Sequence, residues 1–211
     1  MLPLTLDSFD VNEVIVGCDE VGRGCGAFTV CAAAVIWPTD FIPMTSSDQA
    51  MLDMVIDSKK LSEKKRELVA EFIKLHALAY SIASIDNNEI DKINILNATY
   101  KAMHNALDGI NIPFDHIAVD GNRFKSYMNK QGDFVHHTCI INGDNTLFQI
   151  AAASILAKVY RDKQISDLAM SDDALQKYRW DKNKGYLTKQ HLDAIKNHGL
   201  TSYHRKTFIH L

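Results

Sequence analysis

A chain of 211 residues, 46% hydrophobic and 23% charged, has the makings of one large globular domain, or one with a small appendage, and not of a disordered or fibrous protein. Its formal net charge of −3 argues against a wholesale nucleic-acid coat, while Lys59-Lys60, Lys64-Lys65-Arg66, Lys182-Asn183-Lys184 and Arg205-Lys206 are local basic clusters compatible with a track. No apolar run is long enough for a bilayer, Met1 to Asp7 does not read as a signal peptide, and Cys18, Cys25, Cys31 and Cys139 form no C-x-x-C pair. A zinc ribbon, a redox motif and a membrane are thereby disfavoured, and a reduced cytoplasmic setting is expected.

Val14-Ile15-Val16 is β-branched and reads as a buried strand running into Gly17-Cys18-Asp19-Glu20-Val21-Gly22-Arg23-Gly24. Neighbouring strand residues point to opposite faces, so Asp19 and Glu20 can share one ligand only if the strand ends or kinks, which Gly22 and Gly24 permit. Phe28 to Trp37 is continuously apolar and suits a hairpin partner of that strand. Pro38 and Pro43 bracket a surface loop. Ser58 or Ser62 is placed to cap a helix from about Glu63 to His76, and Ala77 to Asp86 reads as a third strand.

Asp86-Asn87-Asn88-Glu89 lacks the glycine and terminal glutamate of a calcium loop and reads as the cap of a helix running from about Glu89 to Leu107. His116 to Asp120 is a short strand followed by Gly121, and Val135 to Ile141 is another, closed by Asn142-Gly143-Asp144. His136 and His137 face opposite ways and do not chelate one zinc. Gln149 to Met170 is the longest helix, and its Ala151-Ala152-Ala153-Ser154 segment lacks bulk, as needed against a sheet. Asp172 to His198 reads as short helices broken at Gly185 and Gly199. The expected fold is α/β, a mixed five-stranded sheet flanked by helices.

Asp19-Glu20, Asp120 and Asp144 each stand at the end of a predicted strand beside a glycine, where ligands gather in α/β sheets. Four acids converge only around a cation, because like charges at close range raise each other's pKa. With no His/Cys set the matching ion is hard, Mg²⁺ or Mn²⁺. Two such ions about 4 Å apart are the standard apparatus of phosphodiester hydrolysis, so a metal-dependent nuclease is the leading idea. Asp162 lies one long helix beyond Asp144, ~20 Å or more away, and reads with Arg161 as a helix-surface or packing charge.

Six motifs in order resemble ribonuclease HII, the type 2 ribonuclease H. They are G-x-D-E-x-G-R-G at Gly17–Gly24, D-S-K-K-L-S at Asp57–Ser62, V-D-G-N at Val119–Asn122, G-D with A-A-S-I-L-A-K-V-x-R-D at Gly143–Asp162, Lys184-Gly185-Tyr186, and His204-Arg205-x-x-Phe208. The resemblance implies a ribonuclease H-like catalytic domain over residues 1–170 and a helical C-terminal extension, 171–211, packed on it. It implies cleavage of the RNA strand of RNA–DNA hybrids, and cleavage 5′ of single ribonucleotides embedded in duplex DNA, leaving 3′-hydroxyl and 5′-phosphate ends. Asp19, Glu20, Asp120 and Asp144 take the metal-binding positions for two ions. Gly22, Arg23 and Gly24 match the loop that senses the ribonucleotide 2′-OH, the group that separates RNA from DNA. Tyr186 matches the tyrosine that packs on the sugar, and Ser58 and Lys59 match substrate-binding positions.

Two departures stand out. Where the family usually continues with P-L-A-G-P, this chain has Cys25-Gly26-Ala27-Phe28-Thr29, and Tyr160 replaces a small residue. Only 13 residues precede the first strand, which favours type HII over HIII, where G-T-G and an added N-terminal domain are usual. A monomer is expected. The rival readings are a catalytically silent hybrid- or DNA-binding protein and a DNA endonuclease of the same superfamily fold.

Overall fold

The computed structural model describes residue 9 and residues 13–56 and 61–210. Five strands, β1 (Ile15–Val21), β2 (Val30–Ile36), β3 (Ala79–Ile85), β4 (His116–Asp120) and β5 (His136–Ile140), form one mixed sheet in the order β3-β2-β1-β4-β5. β1, β2 and β3 pair antiparallel, whereas β4 pairs parallel with β1 and β5 parallel with β4. The hairpin expected of the first two strands is present.

Both faces of the sheet are covered, so its central strands carry almost no polar residue. On one face Val16, Cys18 and Ala32 pack with Ala102, Met103 and Leu107 of α4 (Ile95–Asp108). On the other, Ala33 and Val35 pack against α2 (Glu63–His76) and the long α5 (Phe148–Ser171). The small residues Ala151, Ala152 and Ala153 of α5 are fully buried there. Gly17 makes this approach possible, because any side chain on it would run into the Gln149 backbone. α5 is thereby seated directly over the strand that carries Asp19.

Several local expectations need correction. The stretch after the Pro38–Pro43 loop, to which the sequence pattern assigns no element, is a helix, α1 (Ser46–Ile56), whose Leu52 and Val55 join the α2–α5 core. The helix expected from Glu89 to Leu107 is two, α3 (Asn87–Ile93) and α4. They are separated by Asn94 at φ 66°, whose side chain then caps α4 by accepting from the Asn97 amide. Asp86 caps α3 as expected, accepting from the Glu89 amide at 2.8 Å. Ser62 caps α2, while Ser58 lies outside the described residues.

After α5 come three short helices, α6 (Asp173–Gln176), α7 (Trp180–Asn183) and α8 (Lys189–His198). They gather a separate small core of Leu175, Tyr178, Trp180 and Ile195 against Ile165 and Ala169 of α5 and Ala27 of the β1–β2 connection. The C-terminal residues thus press on the loop that follows the first pair of acids.

Candidate active site

The parallel register pairs Cys18 of β1 with Val119 of β4. Asp19 and Asp120 stand one residue further along these neighbouring strands, where the β1–β4 pairing stops. β1 itself continues to Val21, paired only with β2. The strand therefore neither ends nor kinks at the acids; the sheet opens beside them. Asp19 lies on the α5 side of the sheet with Gly17, and Ser154 of α5 hydrogen-bonds its side chain. Glu20, of opposite parity, lines a recess with Asp120, Arg123 and Tyr100 on the α4 side.

Asp144 enters from the β5–α5 junction. Asn142 adopts φ 56°, which turns the chain into a 3-10 turn, Gly143–Asn145, ahead of α5. The Gly143 amide donates to Oδ1 of Asp120 at 2.7 Å, so the turn that carries Asp144 is tied to the neighbouring acid. Asp144 is buried, accepts from Asn145 Nδ2 at 3.1 Å, and shares a small cavity with Glu20, Ser154, Lys158 and Arg66. The fold brings all four predicted acids to one end of the sheet.

Their electrostatics show the closeness. Burial pushes the Asp19 carboxyl well above its usual range, the Glu20 and Asp120 charges push it further, and the Ser154 hydrogen bond pulls it back. Glu20 is also raised, first by burial and also by Asp120, against the Arg23 guanidinium 3.1 Å away, which lowers it. Among the described residues no three His, Cys, Asp or Glu side chains form a ready-made cation cage. The donor set is nonetheless all carboxylate oxygen, buried at Asp19 and Asp144 and half-buried at Glu20 and Asp120, which fits a hard divalent cation such as Mg²⁺ or Mn²⁺ and not zinc.

The predicted recognition loop lies next to this cluster. Gly22 has φ 90°, and a side chain there would strike Arg161. A side chain on Gly24 would reach only to ordinary contact with the Tyr186 ring, 3.9 Å away. Cys25 and Tyr186 form an isolated β-bridge, so the loop and the tyrosine are joined through backbone. Tyr186 is 43% exposed, leaving part of its ring open for a ligand. Gly22, Arg23, Gly24 and Tyr186 are therefore brought together, while Ser58 and Lys59 lie outside the described residues.

Sequence reasoning missed what holds this loop. Of the two readings offered for Arg161, helix-surface or packing charge, the second holds: it is fully buried and donates to the carbonyls of Thr29, Lys184 and Ala27 at 2.8–3.1 Å. Arg205, equally buried, donates to those of Phe28, Arg23 and Thr29. These partners lie 23 to 182 residues away along the chain, beyond any local pattern. Ser154 and Lys158 were legible in principle, as polar residues at i, i+4 on a helix otherwise buried. Asp162 stays out of the site, since α5 is continuous and Asp162 pairs with Lys158 at 2.9 Å.

A second wire reaches Tyr186. The Thr201 amide donates to His204 Nδ1 at 2.8 Å, which leaves His204 Nε2–H to donate to His191 Nε2 at 3.1 Å. His191 Nε2 also accepts from Trp180 Nε1, and its Nδ1–H donates to the Tyr186 carbonyl at 2.9 Å. Both rings are fully buried, and both are held neutral: burial lowers each pKa, that of His204 to about 4.

Comparison with known proteins follows the same lines. A sequence model of the family described as Ribonuclease HII matches residues 16–211. A "Ribonuclease HII" of Parabacteroides distasonis is 44% identical over 205 residues, covering 97% of this chain and 94% of that protein. One of Bacteroides fragilis is 46% identical over 200 residues, covering 94% and 91%. Among solved structures, the ribonuclease H2 of Pyrococcus horikoshii superposes with a TM-score of 0.70 over 92% of each chain at 23% identity, a likeness of fold alone.

Proposed function

The chain belongs to the ribonuclease HII family, and from that premise we propose which residues carry its reaction. It is a type 2 ribonuclease H, a metal-dependent endoribonuclease acting on the RNA strand of RNA–DNA hybrids and 5′ of single ribonucleotides in DNA. Asp19, Glu20, Asp120 and Asp144 are the acids that would hold its Mg²⁺ or Mn²⁺. The observation that carries this assignment is the raised pKa of Asp19 and Glu20, each pushed up by burial and by the Asp120 charge at one opened sheet end. When bound, the cations supply a water acidified toward hydroxide and charge neutralisation at the phosphate.

The remaining roles belong to the chain's own groups. Ser154 keeps Asp19 oriented, and Arg23 offsets the Glu20 charge. Gly22 to Gly24 offer backbone to the ribonucleotide 2′-OH, with no side chain on either glycine to keep it away. The exposed part of the Tyr186 ring packs on the adjoining sugar. Ser58 and Lys59 contact the substrate backbone from the segment before α2. We also read residues 171–211 as an extension that fixes the recognition loop, and the enzyme as a cytoplasmic monomer. No helix among the described residues is long and apolar enough to cross a membrane.

The test compares a DNA duplex containing one ribonucleotide with an all-DNA duplex and a long RNA–DNA hybrid, in Mg²⁺ and then Mn²⁺. A cut immediately 5′ to the lone ribonucleotide supports the full reading. Cleavage of the long hybrid alone keeps the nuclease and removes the 2′-OH sensor assigned to Gly22–Gly24.

A further inference from the structure

A groove of about 970 Å³ between α2 and α5 does not suit a nucleic acid. Its lining mixes Glu63, Glu67, Glu71 and Asp167 with Lys64, Lys74 and Lys163, so its cations are already answered by acids. Lys158 and Lys184, nearer the acids, are likewise committed, to Asp162 and Glu63 at 2.9 Å.

The α4 side differs. Tyr100 lines the recess that contains Glu20, Asp120 and Arg123, and it also lines a second groove of about 540 Å³ with Asn97, Lys101, His104 and Lys125. The two spaces therefore share one lining residue, and both lie against α4 beside the acids. No Asp or Glu lines the outer groove. Arg123 and Lys125 are exposed, and among the described residues neither side chain has a hydrogen bond or ion pair. Lys101 adds a third cation, shared with Glu89 at 3.0 Å.

This loop is also held in place. Phe124, between the two free cations, joins the α4 core and packs edge-on against His104 at 5.3 Å and Tyr100 at 6.4 Å. His104 Nε2–H donates to the Lys125 carbonyl at 2.8 Å. Arg123 and Lys125 thus project from a backbone already ordered, so little entropy is lost when they meet a ligand. Cations without partners, Lys125 in a groove without acids and Arg123 in the neighbouring recess beside the acids, match a phosphate backbone.

We propose that the α4 groove, through Arg123 and Lys125, binds the phosphodiester backbone of the substrate duplex beyond the cleaved bond. This rests on the reading of Asp19, Glu20, Asp120 and Asp144 as the active site. The contacts are sequence-independent and give affinity and register to a cut whose position the Gly22–Gly24 loop chooses.

The test is duplex binding in EDTA, which is independent of cleavage, for wild type, Arg123→Gln/Lys125→Gln and the control Lys163→Gln, over a salt series. Each lost phosphate contact lowers the slope of log affinity against log salt by about 0.9, so the double variant should lose close to two units and bind on the order of tenfold or more weakly at low salt. Lys163→Gln, in the self-neutralised groove, should match wild type. Shortening the duplex from one end should erase the difference between double variant and wild type. An unchanged slope in the double variant, or a difference that persists on the shortest duplexes, overturns the groove. Wild-type cleavage in Mg²⁺, run beside it, reports separately on the active-site reading.

Discussion

Two regions of this protein bury charge, and they do it in opposite ways. At the open end of the sheet, burial and the Asp120 charge raise the pKa of both Asp19 and Glu20, and Glu20 raises that of Asp19 further, against the Arg23 guanidinium beside Glu20. Behind the recognition loop, Arg161 and Arg205 are fully buried, and six carbonyl contacts absorb their donors. The first region leaves an electrostatic demand that a ligand must meet. The second meets every demand internally and is correspondingly rigid. A buried charge that is over-supplied with like neighbours marks function, and one that is fully hydrogen-bonded marks support.

Substitution should separate the two regions in sign. Asp120→Asn is expected to remove cleavage by orders of magnitude while sparing duplex binding, measured by single-turnover kinetics beside an EDTA binding assay. Arg205→Met leaves the carbonyls of Phe28 and Arg23 without their side-chain donor, while that of Thr29 keeps Arg161, and should cost about 2–5 kcal/mol by urea unfolding. A loss under 1 kcal/mol would mean that the clamp is not what holds the loop.

The buried histidines sharpen the same contrast through pH. A His whose folded pKa lies below its unfolded value near 6.5 stabilises the fold above that pH, because only the unfolded chain takes up the proton as pH falls. With His204 at about 4, stability should decline between about pH 6.5 and 4 by about 3 kcal/mol, and level off below. His204→Gln should flatten that decline in acid unfolding curves. A decline of equal depth in the variant would assign it elsewhere.

The smallest effect is expected at Phe28, which holds φ 70°, a left-handed backbone that favours glycine. Phe28→Gly relieves a left-handed backbone worth about 1–2 kcal/mol but gives up a half-buried ring of similar value. The net change in unfolding free energy should stay within about 1 kcal/mol.

What the sequence disclosed follows the same division. β1 and its acids were readable because a β-branched run ending in Asp19-Glu20 and two glycines is a local pattern, and the sheet order then brought in Asp120 and Asp144 as expected. The break at Asn94 was hidden, since asparagine interrupts a helix only when it turns to positive φ, and here one residue both ends α3 and caps α4. α1 was hidden by the prolines before it, which signal a loop without marking where the loop ends. The role of Arg161 was illegible for a stronger reason: its partners are carbonyls, which every residue has, so no side-chain pattern announces them. The cleft was written in residue types, and the clamp behind it only in the fold.

The central claim is that the acidic cluster carries a charge demand that a divalent cation answers. Thermal melting of wild type and Asp19→Asn, each with and without Mn²⁺, tests it most directly. Without metal the variant should melt higher, because it removes a buried like charge worth about 0.5–2 kcal/mol. Added Mn²⁺ should raise the wild type and leave the variant nearly unmoved. An equal response of both proteins to Mn²⁺, or a variant that melts lower without metal, would contradict the account.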